Sequence, residues 1–162
     1  MDSSSRIPAL ALFVCILWSA CGSSPAAPSR QGPLRLDAGM RSTRLAPGET
    51  STATFTLQNV SSRTIALSFI SSCQILPYVR ERATRRMVHP REGWGCALVL
   101  TSLVLGPGES RTVQLHLRAA DAAAHPVVAL PAGDYEAYAQ LDATFEGSPF
   151  SLRSPSLQFS VE

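Results

Sequence analysis

From residue 45 onward, apolar and polar side chains alternate in short runs separated by turn residues. Ala53, Phe55 and Leu57 alternate with Thr54 and Thr56, and Val113, Leu115 and Leu117 alternate with Gln114 and His116. A period of two puts every second side chain on one face, so each run predicts a strand with one face on a core. Ile65, Leu67 and Phe69 repeat the pattern after the turn Asn59–Arg63, as do Tyr135, Ala137, Ala139 and Leu141, and then Leu157, Phe159 and Val161. Ile75–Arg82 reads as a further strand, with Pro77 placing it at a sheet edge, and Met87–His89 is expected to pair back on it across Ala83–Arg85. The unbroken apolar run Cys96–Leu105 predicts a central strand. Only Arg118–Ala124 favours helix, as a short turn in a connection. The expected fold is all-β: an antiparallel, immunoglobulin-like β-sandwich of about 7–8 strands, because strands recur at short spacing with no crossover helices between them.

Two stretches repeat. LAPGETSTATFTL spans 45–57 and LGPGESRTVQLHL spans 105–117. In both, Pro fixes φ and Gly supplies conformational freedom for a turn that opens an alternating strand. The repeat is a recurring way to enter a strand rather than a duplicated binding site.

The N-terminus carries a different signal. Met1–Arg6 is short and polar, Ile7–Trp18 is almost wholly apolar, and Ser19 and Ala20 are small. That is the order of a secretory signal peptide. The apolar run falls short of the roughly 20 residues a spanning helix needs. Residues 17–24, LWSACGSS, resemble a bacterial lipobox, with Ser19 and Ala20 before Cys21 and Trp18 where Leu is usual. The resemblance implies cleavage before Cys21 and lipidation of Cys21, whose acyl chains would anchor the protein in the membrane. The organisation expected is a lipoprotein signal peptide at 1–20, a flexible linker at 21–33 and the β-sandwich at 34–162. The location expected is the bacterial cell envelope, facing out of the cytoplasm, with the outer membrane favoured where there are two because Gly22 follows the cysteine. Plain secretion, with cleavage near Ala27, is the alternative.

An oxidising compartment changes how the cysteines read. Cys15 leaves with the signal and Cys21 takes lipid, so Cys73 and Cys96 remain as an even pair. A disulfide between them closes a loop of about 24 residues and stabilises by about 3 kcal/mol on the chain-entropy account. Their spacing is unlike a metal or redox motif, and His89, His116 and His125 are scattered.

The order LQNVSSRTIALSF, LVLGPGESRTVQL, LPAGDYEAYAQL resembles the immunoglobulin-like domain of the Bacillus intracellular proteinase inhibitor family over about residues 45–142. That family has a strand ending in Asn-x-Ser, a Leu-x-Pro-Gly-Glu turn and a Pro-x-Gly-x-Tyr turn entering a late strand. The resemblance implies the sandwich fold and, as one function, proteinase inhibition. In the middle, YVRERATRRMVHPREGW and the cysteine pair depart from the family pattern, and no reactive residue carries over.

Composition and motifs narrow the chemistry. Net charge is +2 and every basic residue is arginine, which gives no bulk attraction to nucleic acid. There is no G-x-S-x-G, no H-E-x-x-H and no P-loop, so no enzyme, cofactor or metal is expected. Asp134 and Glu136 are expected to face solvent or stabilise a turn, and Tyr135 to pack in the core with its hydroxyl on backbone. The local anomaly is Arg80–Glu92, with Arg80, Arg82, Arg85, Arg86 and Arg91 against Glu81 and Glu92, and with Trp94 beside it. Arginine forks suit phosphate or carboxylate, which makes this hairpin a candidate anion- or partner-binding site; the alternative is a solvated hairpin whose charges deter edge-to-edge aggregation. The function expected is a lipid-anchored, non-catalytic envelope interaction module whose partners are the membrane and an envelope protein or polysaccharide. Proteinase inhibition is the alternative, and an uncharacterised envelope enzyme the second.

Overall fold

The structure is a computed structural model that describes residues 27–89, 95–121 and 128–162. The signal segment with Cys21, and Arg91 and Trp94 of the hairpin, lie outside the described residues.

Among the described residues, fourteen strands form two packed sheets and one small ladder. The first sheet runs β1 (Ser29–Gln31), β2 (Leu34–Met40), β4 (Thr50–Asn59), β9 (Ser110–Arg118), all antiparallel. Its outermost strand, β1, takes in part of the segment 21–33. The second runs β3 (Arg44–Leu45), β14 (Leu157–Val161), β12 (Gly133–Phe145), β5 (Ile65–Phe69), β8 (Thr101–Leu105). Onto it pair β6 (Leu76–Glu81), β7 (Met87–His89) and β13 (Ser148–Arg153). β10 (Ala120–Asp121) and β11 (Val128–Ala129) make the small ladder. The all-β antiparallel sandwich is the architecture the alternation predicts. The inward residues Phe55, Leu57, Leu67, Tyr135 and Leu141, with their neighbours, make one core.

Both Pro-Gly-Glu turns are built alike, in the role the repeat predicts. Gly48 (φ 81°) and Gly108 (φ 75°) take the left-handed conformation at the third position of a turn led by proline. The glutamate side chain then returns to the turn's own backbone: Ala46 N–H donates to Glu49 Oε2 (2.8 Å), and Gly106 N–H to Glu109 Oε2 (2.7 Å). β4 and β9 leave these turns in opposite directions and pair along their length.

β12 is the long spine of the second sheet. Its first half pairs with β14 on one side and β6 on the other. Its second half pairs with β13, with a short contact to β5. Between β13 and β14 the chain breaks at Ser154, whose N–H donates to Ala139 O (2.8 Å) and whose hydroxyl accepts from Ala139 N–H (2.9 Å). Ala139 therefore turns both backbone groups away from Pro77, its partner on β6, so proline's missing N–H removes no ladder bond with β12.

Two expectations are corrected. Cys96–Leu105 is not a central strand: only Thr101–Leu105 pairs, at the end of the second sheet beside β5. In the stretch Arg118–Ala124, expected to favour helix, β9 ends at Arg118 and Ala120–Asp121 form β10, and residues 122–124 lie outside the described residues.

Asn59 closes the corner between the sheets. It is fully buried at the end of β4. Its Nδ2 lies 2.7 Å from Arg63 O, 3.0 Å from Leu105 O and 3.0 Å from Gly106 O, and its Oδ1 accepts from Ser61 N–H (2.9 Å) and Ser61 Oγ–H (2.7 Å). Asn59→Ala leaves these buried groups unpaired and is expected to lower unfolding free energy by about 2–4 kcal/mol. The midpoint of urea denaturation measures it, and Asn59→Asp, which sets a buried carboxylate oxygen against the three carbonyls the amide donated to, should be at least as destabilising at neutral pH.

Candidate functional site

The outer face of β12 and β6 is set by register. Glu136 lies opposite Arg80, and Tyr138 opposite Tyr78. Period two then points Glu136 and Tyr138 out of the core side of the sheet, while Tyr135 and Ala137 point in. Tyr135 is buried and its hydroxyl donates to Pro131 O (2.9 Å), the backbone contact expected of it.

Glu136 departs from expectation: it is buried, not solvent-facing. Arg80 Nε donates to Glu136 Oε1, and Arg85 Nη1 donates to the same oxygen at 3.2 Å. Arg85 reaches it from the β6–β7 turn, where its backbone is left-handed (φ 62°) and its N–H donates to Glu81 O (3.0 Å). Tyr78 and Tyr138 stack with ring centroids 5.3 Å apart, and the guanidiniums of Arg153 and Arg80 lie 3.6 Å and 5.2 Å from the centre of the Tyr138 ring. The Tyr138 face and the Glu136 carboxylate together cover the Arg80 guanidinium.

Burial pushes the Glu136 carboxyl up. Hydrogen bonds from Arg80 and Ser156, with the charges of Arg80 and Arg85, outweigh it and hold the group below its ordinary range.

The structure places four of the predicted arginines, and each has a carboxylate close by. Arg80 and Arg85 meet Glu136, Arg82 Nη1 lies 4.0 Å from Asp134 Oδ2, and Arg86 Nε lies 3.8 Å from Glu81 Oε2. The hairpin forms as predicted, with β7 paired back on β6. Its charge is largely answered from within the protein.

The predicted disulfide is present, joining Cys73 and Cys96 with Cα atoms 5.6 Å apart. Beyond it the β5–β8 ladder continues irregularly. Ser72 N–H donates to Ala97 O (2.9 Å), Ala97 N–H donates to Ser72 Oγ (3.0 Å), and Thr101 Oγ1–H donates to Ser71 O (2.7 Å). From the last ladder pair, Phe69 and Thr101, the 96–101 side holds one residue more than the 69–73 side. The extra residue is taken up in a three-residue turn, Val99 N–H to Ala97 O (3.0 Å), with Leu98 at its apex. Leu98 and Leu100 are 92% and 82% exposed. Sequence reasoning missed this apolar, exposed segment because its composition is that of a core strand.

Among the described residues, no group of three His, Cys, Asp or Glu side chains is placed to hold a metal, and no helix is long and apolar enough to cross a membrane.

These features define an all-β, antiparallel sandwich. Residues 40–145 match the family model of the intracellular proteinase inhibitor, and the protein belongs to that family. An inhibitor family is compatible with a domain that binds rather than catalyses. No curated protein matches the sequence. Among solved structures, a β-glucosidase of Erythrobacter marinus aligns with TM-score 0.48 and 12% identity, over 80% of this chain and 15% of its own. A Listeria innocua β-glucosidase in complex with glucose gives 0.44 and 15%, over 82% and 16%. The C-terminal domain of wzt gives 0.46 and 12%, over 82% and 75%. This chain thus spans a small part of each glucosidase, and no activity follows from likenesses at this level.

Glu136, with a lowered folded-state value, contributes stability that is fully present above its ordinary value of 4.5 and is lost as pH falls through the lower one. Glu136→Gln leaves Arg80 covered but without its counter-charge and is expected to cost about 2–4 kcal/mol at neutral pH. Urea denaturation across pH should find the gap between variant and parent closing as pH drops below that ordinary value.

Proposed function

We propose that the protein is a proteinase inhibitor tethered to the outside of the cytoplasmic barrier, a binding domain that performs no reaction of its own. The observation that carries this is the family match over residues 40–145. The lipobox-like segment at Cys21 and the Ser-, Pro- and Ala-rich stretch after it support the tether. The charge pattern also favours inhibition over recognition of an anionic polymer. Guanidiniums already facing Glu136, Asp134 and Glu81 have less to offer a phosphate or polysaccharide carboxylate.

The full chain, purified oxidised in detergent, is to be titrated against subtilisin, chymotrypsin, trypsin, papain and thermolysin. Loss of activity of at least one near stoichiometric ratio is expected. Full activity of all five at large molar excess removes the inhibitor reading and returns an envelope interaction through the arginine hairpin to first place. For the tether, the parent chain should incorporate labelled palmitate and sediment with membranes, and Cys21→Ser should do neither; a membrane-bound, unlabelled parent overturns acylation at Cys21.

A further inference from the structure

We infer that the disulfide-braced loop Ala97–Leu100 is the segment that enters the proteinase's cleft, with Leu98 filling an apolar specificity pocket. This rests on the inhibitor reading and adds to it the contact surface and the class of enzyme.

Exposure is the first observation. Leu98 and Leu100 project into solvent in succession with Val99 (49% exposed), and Ile70, at the end of the facing segment, is 78% exposed. Single exposed aliphatic residues are ordinary on a surface. Consecutive ones at the tip of a turn, with another just beyond the ladder pair Phe69–Thr101, form a patch that marks a contact site.

Rigidity is the second. The loop is held at its base by the Cys73–Cys96 bond, along its side by the Ser72–Ala97 pair, and at its exit by Thr101 Oγ1 on Ser71 O. Gln74 Nε2 adds a bond to Ser102 O (3.1 Å). A segment fixed in shape before association loses little conformational freedom on binding. An aliphatic side chain at the apex of such a segment has the form of an anchor that fills a pocket. Proteinase clefts are concave and take a projecting peptide.

Charge is the third. Residues 64–79 and 95–108 hold no charged side chain. A pocket that selects a basic residue through a buried carboxylate would be left unpaired by this loop; an apolar pocket would be matched.

The test uses the full chain and four variants: Leu98→Asp, Leu100→Asp, Leu98→Arg, and Val128→Asp, which puts the same charge on an exposed residue of β11. The parent should inhibit subtilisin or chymotrypsin more strongly than trypsin. Leu98→Asp should raise the inhibition constant about 100-fold, as loss of a central anchor does. Leu100→Asp should weaken inhibition less, and Val128→Asp should leave it unchanged. Leu98→Arg should move preference toward trypsin, a gain that unfolding cannot imitate. Inhibition by the parent that survives Leu98→Asp and Leu100→Asp overturns the loop assignment and leaves the inhibitor reading standing. Preference of the parent for trypsin overturns it too. A parent that inhibits none of these enzymes removes both. Sedimentation covers the remaining occupant: self-association abolished by Leu98→Asp with inhibition intact makes the loop a contact between copies and overturns the proposal.

Discussion

The fold turns on the buried carboxamide of Asn59. The chain leaves the first sheet for the second at the end of β4 and comes back at the end of β8, and both passages run past this side chain. Its donor end reaches the carbonyls at Arg63, Leu105 and Gly106; its acceptor end holds Ser61. Its backbone joins in, with Asn59 N–H on Glu109 O and Gly108 N–H on Asn59 O, each at 3.0 Å. A corner of irregular backbone between two apolar sheets has few other partners for its polar groups, and an unpaired buried carbonyl is costly. One residue with two donors and an acceptor resolves the corner and fixes how the sheets meet.

The second sheet is organised around the length of β12. A strand of 13 residues outruns its neighbours, so different partners share it end to end. That stacking brings Arg80 from β6 and Arg153 from β13 over Tyr138, and brings Glu136 beneath two arginines. The outward face is therefore closed by its own pairs, which stiffen it and spend the hairpin's positive charge locally. At the other end of the sheet, nothing comparable among the described residues covers the apolar loop beside the disulfide. The contrast between a charged surface already answered and an apolar one left open points the search for a partner to the loop.

Much of this was legible along the chain, and the reasons are local. Ala53, Phe55 and Leu57 had to share a face because a strand repeats every two residues. Pro47-Gly48 and Pro107-Gly108 had to turn because only glycine takes those φ values readily. The disulfide followed from there being two cysteines left to pair, and the Tyr135 hydroxyl from the sheet corner after Pro131. Glu136 was not legible. Nothing beside it in sequence says that Arg80 and Arg85 come to lie over it, since they are more than fifty residues away.

By itself the sequence determined the all-β class, most of the strands, the turns between them and the family, because those depend on short-range periodicity and on residues with special backbone freedom. Tertiary structure alone decided which polar groups are buried and which apolar ones are not. Leu98 and Leu100 have the composition of a core strand, yet they stand in solvent, because the turn at Leu98 takes the chain out of regular pairing between Thr101 and the Cys73–Cys96 bond that rejoins the two segments. Burial belongs to the packing of distant segments, which no local pattern encodes.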